Sequence, residues 1–181
     1  MKKQLQAAYD QQEWYVDDIL VMAHYQGYLS QLIARMKYQS VKTVGTLLGE
    51  MLYWHLPLPA LPEADLVSFV PISYSRRCER GFNQAQIIAQ TLAKKINKPC
   101  CKLLIKKKKT KHQAQLNQQQ RQQNLAKCFA LNKKNTSTLK AKKILLIDDV
   151  ITTGSTVNQC AKILQQTSVS SITAVGVASK I

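Results

Sequence analysis

Acidic residues almost vanish from this chain after Arg80. Only Asp148 and Asp149 remain, against 17 lysines and arginines between Arg80 and Ile147. The net charge of the 181 residues is +16, a statement about anionic partners rather than about fold. Nucleic acid, phosphorylated small molecules and anionic lipid all qualify. A glutamine-rich composition without an amphipathic Lys/Trp helix makes lipid the least favoured. Long apolar runs are missing too: nothing approaches the roughly 18 residues that span a bilayer, and the N-terminal MKKQLQAAYDQQEW has no apolar core after its two lysines. The reading is a cytoplasmic protein without a membrane span. The five cysteines (Cys78, Cys100, Cys101, Cys128 and Cys160) form no C-x-x-C pair, which leaves zinc without its usual spacing and points to reduced, partly buried thiols.

What is present falls into alternating elements. Ile19–Tyr25 is a short β-prone run. Leu29, Leu32, Ile33 and Met36 follow at helical spacing, and Val44, Leu47, Leu48, Met51 and Leu52 form a second helical stripe. Pro57, Pro59 and Pro62 make a connector. Residues 1–62 therefore read as a small N-terminal helical cap, and 63–181 as the core. In the core, Leu66–Ile72 is a strand. Ala85, Ile88, Ala89, Leu92 and Ile96 are a helix stripe, ending near Asn97-Lys98-Pro99. Cys101–Ile105 is a second strand and Lys143–Ile147 a third, continuously apolar as a strand covered on both faces must be. Val157, Cys160, Ala161 and Leu164 face inward from a helix, and Ile172–Ala178 is the last strand. This β-α-β-insert-β-α-β order predicts an α/β fold with a parallel sheet. The insert, Lys106 to Lys142, opens on KKKKTK and carries seven glutamines between Gln113 and Gln123, with a partial helix over Gln113–Phe129. Two readings of its lysines stand side by side: a solvated loop, or direct phosphate contact.

The stretch KILLIDDVITTGSTV concentrates the chemistry. In an open parallel sheet ligands sit beyond the carboxyl ends of the strands. The amides of Thr153–Thr156 at a helix start, with hydroxyls close by and a positive helix dipole, make a phosphate cradle. No lysine follows the glycine, so this is not a Walker A loop. Two carboxylates would repel a triphosphate but accept hydrogen bonds from a sugar diol. The loop asks for one phosphate and one ribose.

That stretch resembles the phosphoribosyl pyrophosphate (PRPP) motif of the type I phosphoribosyltransferases. FVPISYSRRCERGFNQAQIIAQTLA resembles the PVP…R…RGFNQ signature of the ComF family of competence proteins. TKHQAQLNQQQRQQNLAKCF is similar to that family's T-x-x-Q-x-x-L…R-x-x-N…F segment, at Thr110, Gln113, Leu116, Arg121, Asn124 and Phe129, and ARMKYQS looks like its KY helix end. The resemblance covers roughly Tyr25 to Ile181. It implies a type I phosphoribosyltransferase-like α/β fold. In it Asp148 and Asp149 hold the ribose hydroxyls, and Thr152, Thr153, Gly154, Ser155 and Thr156 hold the 5′-phosphate. The pyrophosphate loop, Ile72 to Gly81, carries Arg76, Arg77, Arg80 and Gly81, with Arg80 foremost for its place in RGFNQ. A long flexible basic loop at 106–129 includes Thr110, Gln113, Arg121 and Asn124. Magnesium is held mainly by substrate oxygens and water. Many family members carry a four-cysteine zinc ribbon; nothing here matches it, and zinc is not expected.

Two functions follow. One is a competence protein that binds PRPP or a related phosphosugar with magnesium and handles imported single-stranded DNA, with other competence or recombination proteins as partners. Lys106, Lys107, Lys108, Lys109 and Lys111 are its expected nucleic-acid contacts. The other is an active transferase that moves the phosphoribosyl group onto a nitrogenous base. The basic excess favours the first. The scarcity of aromatics along that track, Phe82 and Phe129 alone, counts against it.

Overall fold

The computed structural model describes residues 3, 13–56, 63–107, 128–135 and 139–180. Strand β1 (Asp18–His24) is followed by helices α1 (Gly27–Tyr38) and α2 (Lys42–His55). Then come β2 (Leu66–Phe69), α3 (Tyr74–Arg80), α4 (Gln84–Lys95), β3 (Leu104–Lys106), β4 (Phe129–Leu131), β5 (Lys143–Ile151), α5 (Ser155–Gln165) and β6 (Ser171–Ser179). The main sheet has the order β1-β6-β5-β2, and every pair in it is parallel. All its strands therefore end at the same edge, where α1, α3 and α5 begin.

Period-two alternation along β5 feeds two cores. Leu145 and Ile147 point to one side, where they join Phe69, Val175, Ile88 and Leu92 of α4, and Leu48 and Leu52 of α2. Ile144 and Leu146 point to the other, with Ile172, Val157, Cys160 and Leu164 of α5, and Leu104 and Phe129 of the β3–β4 pair. The helix stripes read from the sequence are the buried faces, except that Leu47 is exposed.

Three expectations change. The sheet does not divide at residue 62: β1 is a hydrogen-bonded edge strand, in register from Asp18 opposite Thr173 to His24 opposite Ser179. Residues 101–105 do not form a strand of the main sheet. A single parallel bridge links Val67 to Cys100, and then Leu104–Lys106 turns away to pair antiparallel with β4. Burying Leu104 and Phe129 against the second core accounts for that choice. β5 does not stop at Ile147 but pairs with β6 as far as Ile151 opposite Ser179, so the acidic pair lies within the strand. The proline connector and most of the insert fall outside the described residues.

α2 lies close on α4 because glycines face the contact. A Cβ on Gly49 would sit 2.6 Å from Thr91 Cβ and 2.8 Å from the Ile88 carbonyl oxygen, and one on Gly45 would sit 2.9 Å from Ile87 Cγ2. In an open helix Gly→Ala gains about 1 kcal/mol. At Gly49 backbone blocks the new methyl, so Gly49→Ala is expected to lose about 1–3 kcal/mol instead. A fall in the denaturant midpoint at unchanged slope is the readout.

Candidate functional site

The site forms at the carboxyl edge of β5. Neighbouring residues of a strand leave opposite faces, and the contacts of the acidic pair follow that rule. Asp149 meets α1: its Oδ2 lies 2.9 Å from Lys37 Nζ, with only 14% of the Asp149 side chain and 19% of the Lys37 side chain exposed. Asp148 faces α5, where its charge is felt at the buried Cys160 thiol. Burial, and then the charge of Asp149, push the Asp148 carboxyl up to about 8. The Asp149 N–H, which donates to Asp148 Oδ1 at 2.9 Å, and the charges of Lys37 and Lys106 act in the opposite direction without cancelling the rise. Lys37 thus supplies the counter-charge to Asp149, while burial disfavours a charge on Asp148.

Asp148 shares a small, open depression with Val150, Ile151, Thr152, Gly154, Thr156 and Val157. Gly154 takes φ +71°, a left-handed conformation suited to glycine, and so turns the chain sharply into α5. Thr153 Oγ1 donates to Ser155 Oγ at 2.9 Å and accepts from the Ser155 N–H at 3.3 Å, bracing the turn. The first amides of α5 have no carbonyls of their own helix to bond, and the helix dipole adds to their preference for an anion.

The expected loop from Ile72 to Gly81 is largely a helix, α3. Ser73 caps its start, accepting from the Arg76 N–H at 3.4 Å, and Gly81 at φ +74° ends it. None of its residues is buried, and Arg76 and Arg77 are exposed. Arg80 is half-buried: its guanidinium lies 5.9 Å from the centre of the Tyr38 ring, and its Nη1 donates to Gln84 Oε1 at 3.3 Å. Asn83 Nδ2 donates to the Val70 carbonyl at the end of β2. Arg80 Nε, Asn83 Oδ1 and Gln84 Nε2 are buried without hydrogen-bond partners among the described residues. All three atoms belong to the RGFNQ segment.

A family model for the phosphoribosyl transferase domain matches residues 79–181. Over 169 residues the chain is 33% identical to Competence protein F of Haemophilus influenzae, covering 90% of this chain and 72% of that protein. It is also 33% identical over 95 residues to Competence protein ComFC of Bacillus subtilis, covering 52% of this chain and 36% of that protein. The chain belongs to the ComF family. Its core is accordingly an α/β, type I phosphoribosyltransferase-like fold. Another relative, DNA utilization protein YhgH of Escherichia coli, is 27% identical over 81% of this chain and 65% of its own length, so the chain spans just under two thirds of that protein.

In this ComF chain, folding gathers Asp148, Thr152, Gly154 and Thr156 into one depression. Asp149 is set apart from it by Lys37. Of the five lysines expected on nucleic acid, Lys106 and Lys107 are described. Lys107 is exposed, whereas Lys106 lies 5.0 Å over the Phe129 ring, with its charge reaching Asp148 and Cys160. Lys108, Lys109, Lys111, Thr110, Gln113, Arg121 and Asn124 fall outside the described residues. The sequence reading missed Lys37, Asn83 and Gln84. The segments ARMKYQS and RGFNQ carried the signal, but only folding brings Lys37 onto an aspartate 112 positions away.

The raised Asp148 carboxyl has a cost in stability. The folded protein holds this proton to higher pH than the unfolded chain, whose aspartate titrates near 4. Stability contributed here therefore falls as pH rises from about 4 to about 8 and is flat above that. Asp148→Asn is expected to stabilise the ligand-free protein by about 1–3 kcal/mol at pH 8. The gain should shrink steadily toward pH 5, as denaturant melts across that range would record.

Proposed function

We propose that this protein serves natural transformation in the cytoplasm, holding PRPP or a related phosphosugar at the carboxyl edge of its sheet and single-stranded DNA on its basic surface. Other competence or recombination proteins would be its partners. The observation that carries the phosphosugar part is the depression in which Asp148 meets Thr152, Gly154 and Thr156 at the start of α5. The 5′-phosphate would take the amides and hydroxyls of Thr152–Thr156, and the ribose hydroxyls would donate to Asp148 and Asp149. The diphosphate would lie toward Arg80, with Arg76 and Arg77 beyond it. Asp149 is ion-paired to Lys37, and among the described residues no three histidine, cysteine or carboxylate side chains converge on a point where they could cage a cation. Magnesium fits here as an ion carried by diphosphate oxygens and water, where it would offset the charge of the leaving group.

The competence role is supported by the relatives named Competence protein F and DNA utilization protein YhgH, and the DNA part by the charge of +16. Folding also supplies aromatic surface that the linear order hides. Tyr38 and Tyr74, at 74% and 72% exposure, stand beside the arginines of α3, and exposed rings with guanidinium groups suit stacked bases and phosphates.

PRPP with magnesium at about a hundred times its Kd is expected to stabilise the protein by about 2.7 kcal/mol, roughly 5–10 °C in Tm. Asp148→Asn with Asp149→Asn should remain folded and lose the shift. A wild-type protein whose melting and calorimetry ignore saturating PRPP and magnesium would refute the phosphosugar reading. Pyrophosphate release with a panel of bases, with and without single-stranded DNA, then separates binding from transfer.

For DNA, replacing Lys106, Lys107, Lys108, Lys109 and Lys111 by Gln should weaken single-stranded binding alike for every sequence. Each phosphate that is no longer neutralised flattens the log–log salt slope by about 0.7. Anisotropy over a salt series measures this, and an unchanged slope would remove the insert from the interface.

A further inference from the structure

Lys37 is ion-paired to Asp149, its Nζ 2.9 Å from Oδ2 and both side chains largely buried. It stands in the last turn of α1 and reaches β5 from a helix whose next residue, Tyr38, stacks on Arg80. Ser40, two residues on, donates from Oγ to the Arg80 carbonyl at 3.0 Å. One helix end therefore touches both the ribose-directed carboxylate and the arginine helix. The Lys37 ammonium occupies Asp149 Oδ2, an oxygen that a sugar hydroxyl would have to use. A diol donates hydrogen bonds but brings no negative charge to receive a displaced ammonium. A diphosphate does bring it, and a lysine on a flexible four-carbon stem can swing to it as a point charge. Arg80, with no acidic partner among the described residues and an unpartnered Nε, lies on the same side.

We propose that Lys37 is a specificity-determining residue: its ion pair covers Asp149, and it releases that carboxylate only to a phosphosugar whose diphosphate limb takes the ammonium in exchange. This rests on the phosphosugar reading above and adds to it a discrimination between ribose 5-phosphate, which lacks the limb, and PRPP, which has it. The residue acts by exchanging partners, so its removal has opposite consequences for the two ligands. Without Lys37, Asp149 is open to a diol at no electrostatic penalty, while the diphosphate is short of a cation.

Calorimetric titration of the whole chain with PRPP and with ribose 5-phosphate, both with magnesium, tests it. Lys37→Met is expected to weaken PRPP by roughly tenfold to a hundredfold, the worth of one charge-assisted contact. The same change should leave ribose 5-phosphate unchanged or tighter, and Lys37→Arg should recover most of the PRPP affinity. Lys37→Gln, whose amide still donates to Asp149, serves if the methionine variant does not fold, and should also lower the preference for PRPP. A merely structural lysine would weaken both ligands by the same factor, and that result overturns the proposal. So does PRPP binding unaffected by either variant. A wild-type protein that binds neither ligand refutes the phosphosugar reading and this inference with it, whereas wild-type binding with unchanged selectivity in the variants refutes the inference alone.

Discussion

β5 lies between two apolar cores, and a strand so placed must have any charge it carries neutralised by the protein around it. Where the sheet ends, two carboxylates follow one another along that strand and leave it on opposite sides. Each meets a different solution. On the α1 side Lys37 supplies a counter-charge at 2.9 Å. On the α5 side burial wins, and the Asp148 carboxyl is pushed up to about 8. Neutralising Asp148 would suit the fold, whereas Asp149 is needed to balance the largely buried Lys37 ammonium. The local conflict thus rests on Asp148, and natural proteins accept such conflicts at functional positions.

Helix packing far from the sheet's edge sets up the neutralisation. α2 approaches α4 closely because Gly45 and Gly49 leave room for Ile87 and Thr91. α2 in turn packs on α1, which hangs from the end of β1 and delivers Lys37 to Asp149. β1 itself is held by its parallel ladder to β6. The site thus depends on residues 18–55 as well as on the segment that matches the phosphoribosyl transferase domain.

The arginine helix makes the opposite use of packing. α3 has no buried residue, and in the RGFNQ segment that begins at its last residue a guanidinium nitrogen, an amide oxygen and an amide nitrogen have no partners among the described residues. Little apolar contact holds α3 in place, so its position is governed by polar groups.

Much of this was legible in the linear order. Continuous apolarity at Lys143–Ile147 announced a strand covered on both sides, and the stripes at 85–96 and 157–164 announced the helices that cover it, because those patterns follow from the local periods of strand and helix. The Thr-Thr-Gly-Ser-Thr turn was legible for a similar reason: helix-start amides and a glycine at positive φ are local chemistry. The pairing of β3 with β4, the entry of β1 into the sheet and the folding of residues 74–80 as a helix were not. Each depends on which surfaces compete for burial, or on which caps happen to be satisfied. The acidic pair shows the division most clearly. Its identity, spacing and isolation among lysines are properties of the sequence. That Asp149 is ion-paired to Lys37 while burial pushes the Asp148 carboxyl up was decided only by tertiary structure, because alternation along β5 sends one carboxylate to the Lys37 ammonium of α1 and the other to the buried side against α5.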